Sequence, residues 1–367
     1  MKKIAIIGQG IIGSTTAYYL YKMFSSNIKI TIFDKRRGQA TKAAAGIISP
    51  WVSKRRNQQW YHLARRGADL IPKLARETHM PTDVYNQCGT IITRDTKKKL
   101  SELYQLGQKR MQEAPAMKSI QYLSSSDVKN MLPFLSKTLP GIIIKGGGKI
   151  DGAKFSNHLL KQIPEQIVNL KCGEATLVSD QQIKFQNHIE KFDNIIVAAG
   201  AWTKKTLQHI NVLADIRAQK GQLIELSIHN QFKKDMPVLM PEGEYDVLPF
   251  SNGKIIIGAT HEDDKTFDLK PTNNAKQKLL NSAKKIINGL DGSNVMKTKV
   301  GTRAYSSDYG PFFGIIPGHD HLLMGGALGS SGLTTGPIIG KFLAKQILSD
   351  QKLDFNYYEK PINKYFK

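Results

Sequence analysis

The chain has 367 residues, enough for two domains around a sizeable core, and 40% of them are hydrophobic, an ordinary globular composition. Two cysteines, Cys88 and Cys172, exclude a disulfide scaffold and a cysteine-based metal centre and suit a reducing, cytoplasmic setting. The net charge of +23 admits a polyanionic partner, an anionic membrane surface at its periphery included, but the lysines are scattered (Lys204-Lys205, Lys233-Lys234, Lys284-Lys285) and no nucleic-acid module accompanies them.

The start, Met1-Lys2-Lys3 before an apolar run, mimics a secretory signal, yet Gly8, Gly10 and Gly13 break that run. No stretch reaches the roughly 18 apolar residues of a membrane span. Instead Lys3–Ile7 reads as a buried parallel strand, and Gly8-Gln9-Gly10-Ile11-Ile12-Gly13 follows with G-x-G-x-x-G spacing. A helical pattern and a second strand, Ile30–Asp34, come next, so an acid falls roughly twenty residues beyond the last glycine. Each part has a physical task. Gly8 permits the tight turn, Gly10 lets a pyrophosphate near the backbone, and Gly13 lets helix and strand pack closely. The helix N-terminus offers N–H groups to phosphate, and Asp34 accepts hydrogen bonds from a ribose. Lys35-Arg36-Arg37 suggest a 2′-phosphate site, but the Asp34 carboxylate repels one, which disfavours NADP.

Small residues follow at Ala43-Ala44-Ala45-Gly46, where a ligand can lie against the backbone, and the Thr41 hydroxyl is placed to cap a short helix there. A helix is predicted from about Gln58 to Thr78, a strand over Cys88–Thr93, and helices near Lys97–Glu113 and Asp127–Pro133. Gly146–Gly152 reads as a turn before a helix from Ala153. Phe192–Gly200 reads as another buried strand, with Trp202 just beyond. Gly221–Ile228, Tyr245–Pro249 and Lys254–Thr260 read as antiparallel sheet, with the Asn252-Gly253 pair as a hairpin turn. A helix from about Asn274, a strand at His321–Gly325, a glycine-serine loop over Gly326–Gly332 and a helix from Pro337 complete the chain. Gly336–Phe342 lacks P-loop spacing, and His319-Asp320-His321 suggests no third metal ligand, so no metal is expected.

Together these segments resemble the D-amino-acid oxidase family of FAD-dependent oxidoreductases, especially bacterial glycine oxidases and D-amino-acid dehydrogenases. The resemblance rests on Gly8–Gly13 with Asp34, Ala43–Gly46, Val197–Trp202, Gly258-Ala259-Thr260, Gly301-Thr302-Arg303 and Gly325–Pro337. It implies an α/β fold: a Rossmann-like FAD domain with a parallel sheet (1–85, 145–215 and 305–367) and a smaller substrate domain of mixed antiparallel sheet (86–144 and 216–304). It implies non-covalent FAD held by Gly8, Gly10, Ile11, Ile12, Gly13, Asp34, Lys35, Ala43, Ala44, Ala45, Gly46, Ala199, Gly200 and Trp202. Gly329, Ser330, Ser331, Gly332, Leu333 and Thr334 would cap the flavin ring with a helix N-terminus.

The implied activity is oxidation of a small amine, a D-amino acid or glycine, to an imine that hydrolyses to a 2-oxo acid and ammonia. Oxygen or a quinone would take the electrons. Arg303 would bind the substrate carboxylate, a task suited to the planar fork of a guanidinium. The family's aromatic substrate residue falls on Asp246, with Tyr245 one place away, so either Tyr245 replaces it or the pocket is more acidic. His261 stands where glycine oxidases carry a thioether. Sarcosine-type oxidation and an RNA-directed flavoprotein are the alternatives, and the oligomeric state is left open.

Overall fold

Ile4, Ala5 and Ile6 are fully buried, as a central parallel strand covered on both faces requires. They belong to the strand Lys2–Ile7, which pairs in parallel with Ile28–Asp34 on one side and Asn194–Val197 on the other. Val168–Cys172 extends one edge of this six-stranded sheet, and the hairpin Phe312–Ile316/His319–Gly326 forms the other. Helices Ile11–Phe24, Gln58–Glu77 and Gly332–Leu348 contribute to the core cluster on one face, and a second cluster around Phe33, Phe192 and Phe312 covers the other. This computed structural model describes all residues except 229–231, 234, 244, 264–266 and 350. Lys234, one of the scattered lysines, lies outside them.

The second large sheet has eight strands, in the order Val295–Tyr305, Arg217–Ser227, Lys254–Gly258, Asp246–Pro249, Val238–Met240, Thr90–Thr93, Gly141–Ile144 and Ile120–Leu123. Alternation along the strands gives it two faces. Ile224, Leu226, Val247 and Ile257 bury one face with Leu279 and Leu280 of the helix Asn273–Lys284. Leu223, Leu248 and Ile256 on the opposite face pack against Ala45 and Ile47, which tie this sheet to the first domain.

The structure corrects several expectations. Gly148–Ile150, inside the expected turn, is a strand between Ile47–Ile48 and Tyr85–Asn86, and a Cβ on Gly148 would stand 2.3 Å from the Asn86 carbonyl. Val295–Tyr305, unforeseen in the sequence, pairs along the length of Arg217–Ser227, and its Lys299 is ion-paired with Glu225. The last helix begins at Gly332 and runs through Pro337, which lies inside it and gives up one backbone donor. No described helix is long and apolar enough to cross a membrane.

Candidate active site

The six-stranded and eight-stranded sheets and their connections enclose a cavity of about 1200 Å³. At one end the glycine turn does what its spacing requires. Gly8 has φ +113°, and a Cβ there would lie 2.3 Å from the Ala198 carbonyl oxygen. A Cβ on Gly13 would lie 1.9 Å from the Gly8 carbonyl oxygen, so Gly13 serves helix–strand packing and is not a wall of the cavity. Gly10, at the N-cap of Ile11–Phe24, supplies no capping side chain. The Thr41 hydroxyl, expected to cap its own short helix, instead accepts from the Ile11 N–H at 3.0 Å, across 30 residues. Asp34 accepts from the Gln9 N–H at 2.6 Å, from Gln39 Nε2 at 2.6 Å and from the Arg36 N–H. These fixed donors hold the carboxylate at the cavity wall, where a ribose can be bound.

All the other sequence-predicted cofactor residues line this cavity: Ile11, Ile12, Lys35, Ala43–Gly46, Ala199, Gly200, Trp202 and Gly329–Thr334. Lys35 is ion-paired to Glu174 at the rim. The first turn of Gly332–Leu348 enters the cavity with no side-chain cap on its N-terminus, which leaves its N–H groups for a ligand. Arg55 and Trp60, which sequence reasoning missed, brace that loop. Arg55 donates to Ser330 Oγ at 3.1 Å while lying 4.5 Å from the Trp60 ring centroid, and Trp60 Nε1 donates to Ser331 Oγ at 3.0 Å. Burial pushes the Arg55 guanidinium below its ordinary pKa. Its place in the basic run Lys54-Arg55-Arg56 hid it among solvated charges.

At the other end Arg303 lies across Gly221. Its guanidinium atoms are 2.7–2.9 Å from where a Cβ on Gly221 would be. Nη1 donates to the Thr260 carbonyl at 2.8 Å and to Gln219 Oε1 at 3.3 Å. No carboxylate among the described residues comes within ion-pair distance, and burial holds the guanidinium below its ordinary pKa. Asp246 and Arg94 share this end. Burial pushes the Asp246 carboxyl up to about 7 against the opposing pull of Arg94. Arg94, which sequence reasoning also missed, donates through Nη1 to the Thr93 carbonyl at 2.6 Å and the Met240 carbonyl at 3.3 Å. Its one legible signal was its place directly after the Thr90–Thr93 strand. His261 lines the cavity at an exposed position. Tyr245 does not line it. Being one residue from Asp246 on an extended chain, it turns to the opposite face and packs with the Val247 cluster, which removes it as a replacement for the aromatic substrate residue.

Fold and site together define an oxidoreductase with a Rossmann-like parallel-sheet core and additional antiparallel sheets. The family model described as "FAD dependent oxidoreductase" matches residues 3–346, and the chain belongs to that family; its cofactor is FAD. The chain is 34% identical to an uncharacterized oxidoreductase, YurR, of Bacillus subtilis, over 98% of both chains. It is 24% identical to glycine oxidase of Pseudomonas putida over 92% of each. Among solved structures it resembles iminodiacetate oxidase from Chelativorans sp. BNC1, with a TM-score of 0.90, 28% identity and coverage of 97% and 98%.

Proposed function

We propose that the chain oxidises a small amino acid, a D-amino acid or glycine, at the bond between its α-carbon and nitrogen. The observation that carries this reading is Arg303, a desolvated guanidinium facing the cavity with only Nη1 committed to the protein among the described residues. Its remaining donors suit the two parallel, charge-assisted hydrogen bonds of a substrate carboxylate. Bound FAD supplies the acceptor for a hydride, that is, two electrons and the α-hydrogen. The protein fixes the carboxylate, braces the Gly329–Ser331 loop through Arg55 and Trp60, and presents the helix N-terminus at Gly332 to developing negative charge. The imine released adds water and yields a 2-oxo acid and ammonia; oxygen or a quinone then takes the two electrons.

Neither Cys88 nor Cys172 lines the cavity, which supports non-covalent flavin. The likeness to iminodiacetate oxidase favours a second reading, in which the substrate nitrogen carries a further substituent, as in sarcosine. Anaerobic bleaching of the yellow protein by glycine, sarcosine, iminodiacetate and both enantiomers of common amino acids tests the proposal. Bleaching by a D-amino acid or glycine supports it, bleaching only by the N-substituted compounds moves the chain to the second reading, and bleaching by none overturns both.

A further inference from the structure

Strand register places Arg303 and Asp246 on one face of the eight-stranded sheet, with a glycine on each of the two strands between them. Arg303 is opposite Gln219; Gly258 is opposite Leu223 and also opposite Asp246. Paired residues, and those two apart on one strand, share a face. Arg303, Gln219, Gly221, Leu223, Gly258 and Asp246 therefore all look toward the cofactor domain. Gly221 and Gly258 each omit a side chain on this face, so the floor between Arg303 and Asp246 is lowered at those two positions, with Gln219 and Leu223 flanking Gly221. The guanidinium already covers Gly221, and two strand spacings of about 4.8 Å each separate that strand from the one bearing Asp246. A carboxylate on Arg303 takes up about 4 Å of this span. What remains is the reach of a nitrogen a few bonds from the carboxylate carbon.

Asp246 is the unsatisfied acid at the end of this floor. It lines the cavity, is half-buried, and accepts no hydrogen bond and makes no ion pair with a described residue. The nearby charges are otherwise engaged. Glu242 is bound to Lys99 at 2.5 Å and to the Asp95 N–H at 3.0 Å, and Arg94 is tied to two carbonyls. A half-buried carboxyl with no donor from the described residues, facing a cavity, leaves its oxygens for a ligand that carries one.

We infer that Asp246 pairs with a positively charged nitrogen of the substrate, so that Arg303 and Asp246 grip a zwitterion from opposite ends of the glycine floor. The inference rests on the amino-acid reading above. It predicts selection for amino acids over simple carboxylates, and against substrates that would set a second carboxylate beside Asp246.

The test uses FAD-loaded wild type, Asp246→Asn and Asp246→Glu, the first substitution being nearly isosteric. Flavin-spectrum titrations compare the best amino acid from the bleaching screen with the carboxylic acid of the same carbon chain lacking nitrogen. Asp246→Asn should weaken the amino acid at least tenfold while leaving the nitrogen-free acid unchanged or tighter, and Asp246→Glu should recover part of the loss. A loss seen with monoamino acids identifies the α-amine as the partner; a loss confined to diamino acids identifies a side-chain amine, and either supports the pairing. Equal losses for both ligand classes, no loss, or tighter binding of the amino acid overturns it. If wild type is bleached by an amino acid while the Asn variant binds it equally well, only this inference fails. If no amino acid bleaches wild type, the functional proposal fails with it.

Discussion

The two ends of the cavity are built by opposite means. The nucleotide end comes from contiguous segments, the turn Gly8–Gly13 and the run Ala43–Gly46, with the strand end at Asp34 close behind the turn. The substrate end is assembled from residues far apart in the chain, among them Arg94, Gly221, Asp246 and Arg303, which meet through strand register. Backbone conformation makes the first end, so its chemistry is generic to dinucleotides. Side chains on a sheet face make the second, so a change of one residue alters what it accepts without disturbing the fold.

The comparison breaks most readily at Arg303. Arg303→Leu should cut the second-order rate of flavin reduction by at least about a hundredfold, roughly 2.7 kcal/mol, with FAD content unchanged. Arg303→Lys should recover part, because an ammonium keeps the charge without the planar fork. Stopped-flow reduction by the amino acid and by its decarboxylated amine checks this. Equal losses for the two would make Arg303 a structural residue.

Asp246 sharpens the same contrast through pH. Its carboxyl is pushed up to about 7 in the folded state from an ordinary 3.8. Between these values the folded protein holds a proton that the unfolded chain has released, so stability falls as pH rises through this window and levels off above it. Asp246→Asn has no such proton. It should therefore gain on wild type between pH 4 and pH 7, by on the order of 2 kcal/mol, as read by thermal unfolding. A constant difference across that range would contradict the assignment.

At the nucleotide end, Asp34→Ala removes the acceptor that fixes the Gln9 N–H and Gln39. It should weaken FAD binding about tenfold and leave the reduction rate of saturated enzyme unchanged, because the carboxylate belongs to the binding end alone. Fluorescence titration with FAD beside single-turnover kinetics separates the two quantities. The smallest effect is expected from Thr41→Val, which deprives the buried Ile11 N–H of its acceptor and should lower stability by about 1 kcal/mol in thermal unfolding.

How much could be read in advance follows from the same division. The glycine turn, Asp34 and the alanine run were legible because spacing along the chain is their function. The Asn252-Gly253 pair also made legible that Tyr245–Pro249 and Lys254–Thr260 meet as a hairpin, while the register that sets Asp246 opposite Gly258 came only from the structure. Beyond that the signals stopped. Val295–Tyr305 carries alternating lysines that look solvated until Arg217–Ser227 is placed beside it. Gly221 was legible only as the start of a strand and Gly258 only as part of a motif, and in the paired sheet they fall on one face. The Thr41 cap could not be assigned to Ile11 from sequence, since nothing local indicates which helix a distant hydroxyl will reach.

The strand order of the six-stranded sheet also sets a timetable for synthesis. Its central strand emerges first from the ribosome, yet the hairpin Phe312–Ile316/His319–Gly326 that closes one edge emerges near the end. The helix Gly332–Leu348, which packs against the first helix and carries part of the cofactor wall, follows later still. A nascent chain ending before residue 312 therefore presents Asn194–Val197 as an open edge, able to pair with another chain. The cavity wall at Gly332 is therefore complete only once that late helix has been made.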